Sequence, residues 1–230
     1  MAKILFTAIV ADMRNKLNGT VFSKNRYGAY ARTKVTPVNP STISQTKARS
    51  TLSTQSQGWR GITQPQRQGW IDAAASFPFS DIFGNSKILS GSALYVKLNT
   101  MLANYGPGTI ADAPAPVAVP AFSLLGISAS TVGGVVQITF DPSPVPPNFV
   151  LIVRTTGNVG PGISFVKNKY RFISSAEASQ VSPMPLTANF AAKFGEPVLR
   201  QKIFAQAFLM STTNGQVGIA SSASTVVVGV

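Results

Sequence analysis

Seven carboxylates, Asp12, Asp72, Asp81, Asp112, Asp141, Glu177 and Glu196, are the only acidic side chains in this 230-residue sequence, which has no histidine and no cysteine. That set limits the available chemistry. Without imidazole or thiol there is no Ser-His or Cys-His nucleophile pair, no thiolate zinc site and no disulfide framework. The acids stand alone in the chain, and none forms the D-x-D or E-x-x-E kind of cluster that cages a divalent cation. Two distant carboxylates could still meet in space and cleave a glycosidic bond, but caps and turns, where Asp is at home, account for them more simply. Serines are plentiful, yet no G-x-S-x-G elbow is present, and a Ser-Lys pairing has no motif behind it. "GNVGPG" at Gly157–Gly162 lacks the G-x-x-x-x-G-K-[ST] spacing by which backbone amides and a lysine hold phosphate, so it reads as a glycine turn between strands. The residues point away from an enzyme, and no cofactor or metal is expected.

The distinctive chemistry is cationic. Twenty Lys and Arg give the chain a net charge of +13. Nine of them (Lys3, Arg14, Lys16, Lys24, Arg26, Arg32, Lys34, Lys47 and Arg49) fall in residues 1–49 against Asp12 alone, which places +8 of the total there. Within this region "NGTVFSKNRYGAYARTKVTPVNP", from Asn18 to Pro40, holds Lys24, Arg26, Arg32 and Lys34 among Phe22, Tyr27 and Tyr30, with no acid. In an extended strand Tyr30, Arg32 and Lys34 share one face while Ala31, Thr33 and Val35 share the other. Such a row can meet carboxylates on a partner protein, track phosphates, or stand in water. Rings among cations resemble the stacking platforms of single-strand binders, but no nucleic-acid fold signature accompanies them. A partner protein is the favoured reading and nucleic acid the second.

The elements that must carry these residues fall into four parts, and the expected class is α+β. Residues 1–40 form an extended basic arm or hairpin: "GTVFS" and "AYARTKVTPV" are rich in β-branched and aromatic residues, "KNRYG" can turn between them, and Pro37 and Pro40 end any ladder. The start, "MAKILFTAIVADM", is a poor signal peptide and reads as a buried strand or docking segment. Residues 41–106 read as a small helical domain. Ser41 is placed to cap a helix running to about Gly58, with Ala48, Leu52 and Trp59 as a narrow apolar stripe. "TQPQ" at Thr63–Gln66 fits a capping box before a helix that presents Trp70, Ile71 and Ala74. "FPFSDIFGN" is expected as a docked loop. The clearest helix is Ala93–Tyr105, where Leu94, Leu98, Met101, Leu102 and Tyr105 follow helical spacing. Trp59 and Trp70 are read first as core residues, each burying on the order of 150–250 Å², and only second as interface anchors.

Residues 107–120, with Pro107, Pro114, Pro116 and Pro120, read as a stiff linker and a domain boundary. Residues 121–230 change to short strands. "VVQITF" puts Val136, Ile138 and Phe140 on one face, "NFVLIVRTT" is a near-continuous buried run, and Asn214-Gly215 suits a tight hairpin turn between two further strands. The pattern is that of an immunoglobulin/fibronectin-III-like β-sandwich. Residues 157–200 show no clear strand pattern, and "LTANFAAKF" suggests a short helical insert. The charged fraction of 12% is about half the globular norm of roughly 25%, so neutral polar side chains or another protein must cover the surface. No apolar run reaches the 18 or so residues that span a bilayer, and no membrane partner is expected. A soluble protein made in the cytoplasm is the expectation.

"NGTVFSKNRYGAYARTKVTPVNPSTISQTKARSTLSTQSQGWRGITQPQRQGW", followed by "FGNSKILSGSALYVKLN", resembles a family of tailed-bacteriophage virion structural proteins, among them proteins of crAss-like phages infecting Bacteroidetes. The resemblance covers about residues 18–105 and is carried by G-x-V-F-S-x-N-R-x-G-x-Y-x-R-x-K-V-x-P-V-N-P. It implies a structural role in the virion and no catalysis, with Arg26, Tyr27, Tyr30, Arg32 and Lys34 as contact residues. An auxiliary (decoration or cementing) capsid protein that binds the major capsid protein or other virion proteins is the first expectation, with self-association left open. The alternative is a head–tail connector or tail component. A DNA-binding protein packaged with the genome is the reading from a different class.

Overall fold

The computed structural model describes residues 2–4, 10–25, 28–36, 38–80 and 86–229. The chain is mixed α+β and divides by its backbone contacts into two compact units, Met1–Thr46 and Lys47–Val230.

The first unit is a four-stranded antiparallel sheet built from β1 (Ala2–Ile4), β2 (Asn15–Leu17), β3 (Thr20–Asn25) and β4 (Gly28–Thr33), in the order β1-β4-β3-β2. The expected hairpin is β3 and β4, and the two shorter strands extend it on both sides. Asn18-Gly19 joins β2 to β3, with Asn18 at a φ of +49°, a left-handed conformation that Asn tolerates. Arg26, Tyr27 and Pro37 lie outside the described residues, as do residues 5–9 of the expected opening segment.

Three helices follow, the first beginning just before the second unit does. Helix α1 (Ile43–Gly61) is capped one residue later than expected. Gln45 N–H donates to Thr42 Oγ1 and Thr42 N–H donates to Gln45 Oε1, both at 3.3 Å, while Ser41 stands outside the helix at a φ of +48°. The capping box selects Thr42 because a Gln lies three residues on, where Ser41 has only Ser44. Helix α2 (Gln64–Ala73) starts as expected, with Thr63 N–H donating to Gln66 Oε1 at 2.9 Å. Of its expected apolar side Trp70 and Ala74 are buried but Ile71 is half exposed. The Phe-rich stretch is partly docked: Phe77 is buried, Phe79 is exposed in β5 (Phe79–Ser80), which pairs with β6 (Ser86–Lys87), and Phe83 lies outside the described residues. Helix α3 (Gly91–Tyr105) begins at Ser90, whose Oγ accepts from Ala93 N–H at 3.3 Å.

The strand region contains β7 (Ser123–Ala129), β8 (Val136–Asp141), β9 (Phe149–Thr155), β10 (Arg171–Ala176), β11 (Met184–Pro185), helix α4 (Thr187–Phe194), β12 (Lys202–Ser211) and β13 (Ser221–Val226). They form two antiparallel sheets, β10-β9-β12-β13 and β11-β8-β7, tied along one margin where Ser130 bridges Val228 and Leu124 N–H donates to Ser221 Oγ. Both sheets feed one apolar core that includes Ile127, Ile138, Phe140, Leu151, Val153, Ile203 and Leu209. Strand alternation explains the membership. Val136, Ile138 and Phe140 are the buried face of β8, as expected, and Leu151 and Val153 are the inward face of β9. The outward residues Val150 and Ile152 are buried too, because with Phe208 and Met210 they pack against Met101 and Tyr105 of α3.

That second layer changes how the chain is partitioned. The Pro-rich stretch expected to be a linker is a strap held at every step. Trp70 Nε1 donates to Ala111 O at 2.8 Å, and Asn99 grips Ile110 by accepting from its N–H (2.7 Å) and donating to its carbonyl (3.1 Å). Asn214 Nδ2 donates to Ala115 O, and Val117 N–H donates to Gln216 Oε1. Helices and sheets thus belong to one unit. Proline forbids ladder pairing, yet it leaves the carbonyls free to accept from side chains. Asn214-Gly215 lies in a four-residue connection closed by Ser211 N–H donating to Gln216 O at 2.8 Å, not in a two-residue turn. Gly215 has a φ of +73°, and a Cβ there would collide with the Leu98 carbonyl oxygen, so the glycine is required by the close approach to α3.

Candidate functional site: a cationic sheet face

The register of the first unit decides which side chains meet. Tyr30 stands opposite Lys3 on β1 and opposite Ser23 on β3. Arg32 stands opposite Val21, which in turn faces Lys16 on β2. Paired residues project to the same side of a sheet. Lys34, two residues past Arg32, keeps the alternation, because its N–H continues the pairing by donating to Gly19 O at 2.7 Å. One face therefore carries Lys3, Lys16, Arg32 and Lys34 around Tyr30 and Val21. Lys16, Val21, Arg32 and Lys34 border a shallow cleft of about 300 Å³.

The other face carries Ile4, Leu17, Phe22, Ala29 and Ala31 beside Lys24 and threonines. It is apolar, yet no described residue from Lys3 to Thr46 is buried: Phe22 and Ala31 are half-buried and Leu17 is 67% exposed. Among the described residues the sheet thus has no interior of its own.

Of the five expected contact residues, the structure brings Tyr30, Arg32 and Lys34 onto one face. Arg26 and Tyr27 lie outside the described residues. Lys3 and Lys16 join that face through strand pairing and were not singled out by the sequence, because an alternation argument works within a strand and says nothing of register between strands. The acid of this unit, Asp12, is engaged by Arg14 Nε at 2.9 Å, an exposed pair of the kind worth about 0–1 kcal/mol. Four like charges on one face repel one another, and an anionic surface laid against them relieves that repulsion.

The remaining acids are dispersed. Asp72 accepts from Gln68 Nε2, and Asp112 accepts from Gln66 Nε2. Among the described residues no three acids gather to hold a metal ion, and no helix is long and apolar enough to cross a membrane. Comparisons of the chain with protein-family models, with curated proteins and with solved structures find no match in any of the three.

Proposed function

We propose that this chain is a non-enzymatic structural protein of a tailed-phage virion, an auxiliary protein that fastens to the capsid shell through the cationic face of its N-terminal sheet. The observation that carries the reading is the contrast between the two units. Lys47–Val230 encloses its own apolar cores, whereas the described part of the first unit buries no residue and masses cations with Asp12 as its one acid. A small amphipathic sheet of that kind suits lamination onto another surface. Acidic shell residues would meet Lys3, Lys16, Arg32 and Lys34, and Tyr30 supplies a rigid aromatic contact. Many weak sites on a repeating lattice then raise the effective affinity. The major capsid protein is the proposed partner, and assembly would take place in the bacterial cytoplasm. The two sheets around one core suit an immunoglobulin- or fibronectin-III-like module that projects from the shell or bridges its subunits. The same surface would serve a head–tail connector or tail component.

A second reading has its own support: Tyr30 flanked by Lys3 and Arg32 matches the aromatic-and-cation arrangement that grips nucleic acid. Titration of salt against binding to empty shells and to DNA separates the two. On the shell reading the protein sediments with shells, K16E/R32E/K34E abolishes this, and DNA is held weakly with a steep log–log loss as counterions compete. Tight binding to DNA with no affinity for shells would refute the proposal.

A further inference from the structure

The Lys47–Val230 unit carries a second recognition surface with different chemistry, and its case does not rest on the virion reading. Outside the sheet β10-β9-β12-β13, α1 and α3 leave a cleft of about 550 Å³ against β9 and β12. Its walls are apolar: Leu52, Val96, Met101, Phe208 and Val217. A neighbouring cavity of about 510 Å³, bordered by Trp59 and Arg60, shares Val96 and Lys97 with it, so the two run together along the α1–α3 seam.

The polar groups in this groove are unusual. Arg154 is half-buried, with its guanidinium 5.0 Å from the centre of the Phe208 ring. None of its donors has a hydrogen-bond acceptor among the described residues, and the half-buried Gln206 side-chain amide is likewise unpaired there. Thr100 also lines the cleft, but its Oγ1 is buried without a partner. Lys97 and Arg60 add positive charge along the seam, and no acid borders either cavity. A guanidinium set over an aromatic ring keeps its in-plane donors aimed outward, a geometry that fits a carboxylate bidentately. Thr100 Oγ1 is closed off from the cleft, but the Arg154 guanidinium and the Gln206 amide reach it without a partner among the described residues and stand beside its apolar walls, where a ligand's acceptors would meet them.

From this we infer that the α1–α3 groove is a docking site for a peptide segment of a partner protein that carries an aliphatic or aromatic anchor next to an aspartate or glutamate. The anchor enters the Leu52–Met101–Phe208 cleft, and the carboxylate bonds Arg154 with Lys97 beside it. The groove is open along its length, as an extended segment needs, and its two cavities accept anchors on either side of the acid.

The test is selection of a random dodecapeptide library on the full-length protein, counter-selected against K97Q/R154Q to discard peptides that merely answer the net positive charge. Recovered sequences are expected to hold Asp or Glu within about three positions of Phe, Leu, Ile or Trp, since Arg154 lines the same cleft as the apolar walls. Synthetic versions should bind the native protein and R32E/K34E equally, and should lose about tenfold or more on R154Q and when their acids are changed to Asn or Gln. L52E, at a half-exposed position on the rim, should weaken them as strongly, which keeps the inference testable if R154Q folds poorly. No peptide surviving counter-selection, survivors without acids, equal binding to L52E, or loss of binding on R32E/K34E would each overturn it. So would capture of dodecanoate in the cleft with no peptide recovered.

Discussion

Tyr95 on α3 concentrates the physics of the helical core in one side chain. Its ring meets Trp70 edge-on at 5.2 Å and 80°, and Trp59 tilted at 5.6 Å, contacts worth about 0.5–1.5 kcal/mol each beyond area burial. Burial pushes its phenol above the ordinary value, since ionising it would set a charge among indoles. The unfolded chain gives up this proton first, so above the ordinary pKa the folded state binds more protons than the unfolded one. The Tyr95 contribution is therefore intact below about pH 10 and lost as pH rises through the raised folded value. Urea midpoints of the native protein and Y95F, followed from about pH 8 to about pH 11.5, should run parallel and then converge or cross, with the native protein falling faster. Parallel curves throughout would mean the phenol is not desolvated. At this scale the sequence was readable where one strand or helix suffices: Trp70 as a core residue, and Tyr30, Arg32 and Lys34 on a common face. Lys3 and Lys16 were not, because only strand register brings them to Tyr30 and Arg32.

Elements show the same division between local and distant causes. The stripe Leu94, Leu98, Leu102 is helical spacing and was legible. Met101 and Tyr105 share that spacing, but their packing against Val150, Ile152, Phe208 and Met210 was not legible, since those partners lie about fifty residues or more further along the chain. The strap at 107–120 reads as a linker in the sequence for a related reason. Its prolines announce extended backbone, while the groups that tie it down, Trp70, Asn99, Asn214 and Gln216, are remote in sequence. Asn99 is the strongest of these ties, being fully buried and bonding both polar groups of Ile110. N99A would leave the N–H and carbonyl of half-buried Ile110 unpaired, at about 1–3 kcal/mol each. The expected result is a loss of roughly 2–6 kcal/mol in stability, read from a lower urea midpoint with an unchanged m value, together with faster hydrogen exchange at the Ile110 amide. A loss below about 0.5 kcal/mol would mean water replaces the amide and the strap is held elsewhere.

At the scale of the whole molecule, stability and attachment separate by unit. Among the described residues the three apolar clusters draw on none before Trp59, and no described residue from Lys3 to Thr46 is buried. Apolar burial is the main favourable term in folding, and among the described residues it lies in Lys47–Val230. Removing residues 1–40 should therefore leave the unfolding transition nearly in place. That cut keeps the Thr42–Gln45 capping box, so α1 retains its start. For a unit of this size about 1 kcal/mol moves Tm by roughly 2–4 °C, and a shift within that range is expected by calorimetry, with the near-ultraviolet signal of Trp59 and Trp70 preserved. Binding to empty shells should vanish in the same variant, because the cationic face goes with the deleted strands, whereas acidic peptides selected on the α1–α3 groove should still bind. A collapse of the transition would show that the front sheet is an internal part of the fold, and loss of the peptides as well would show that the groove depends on it.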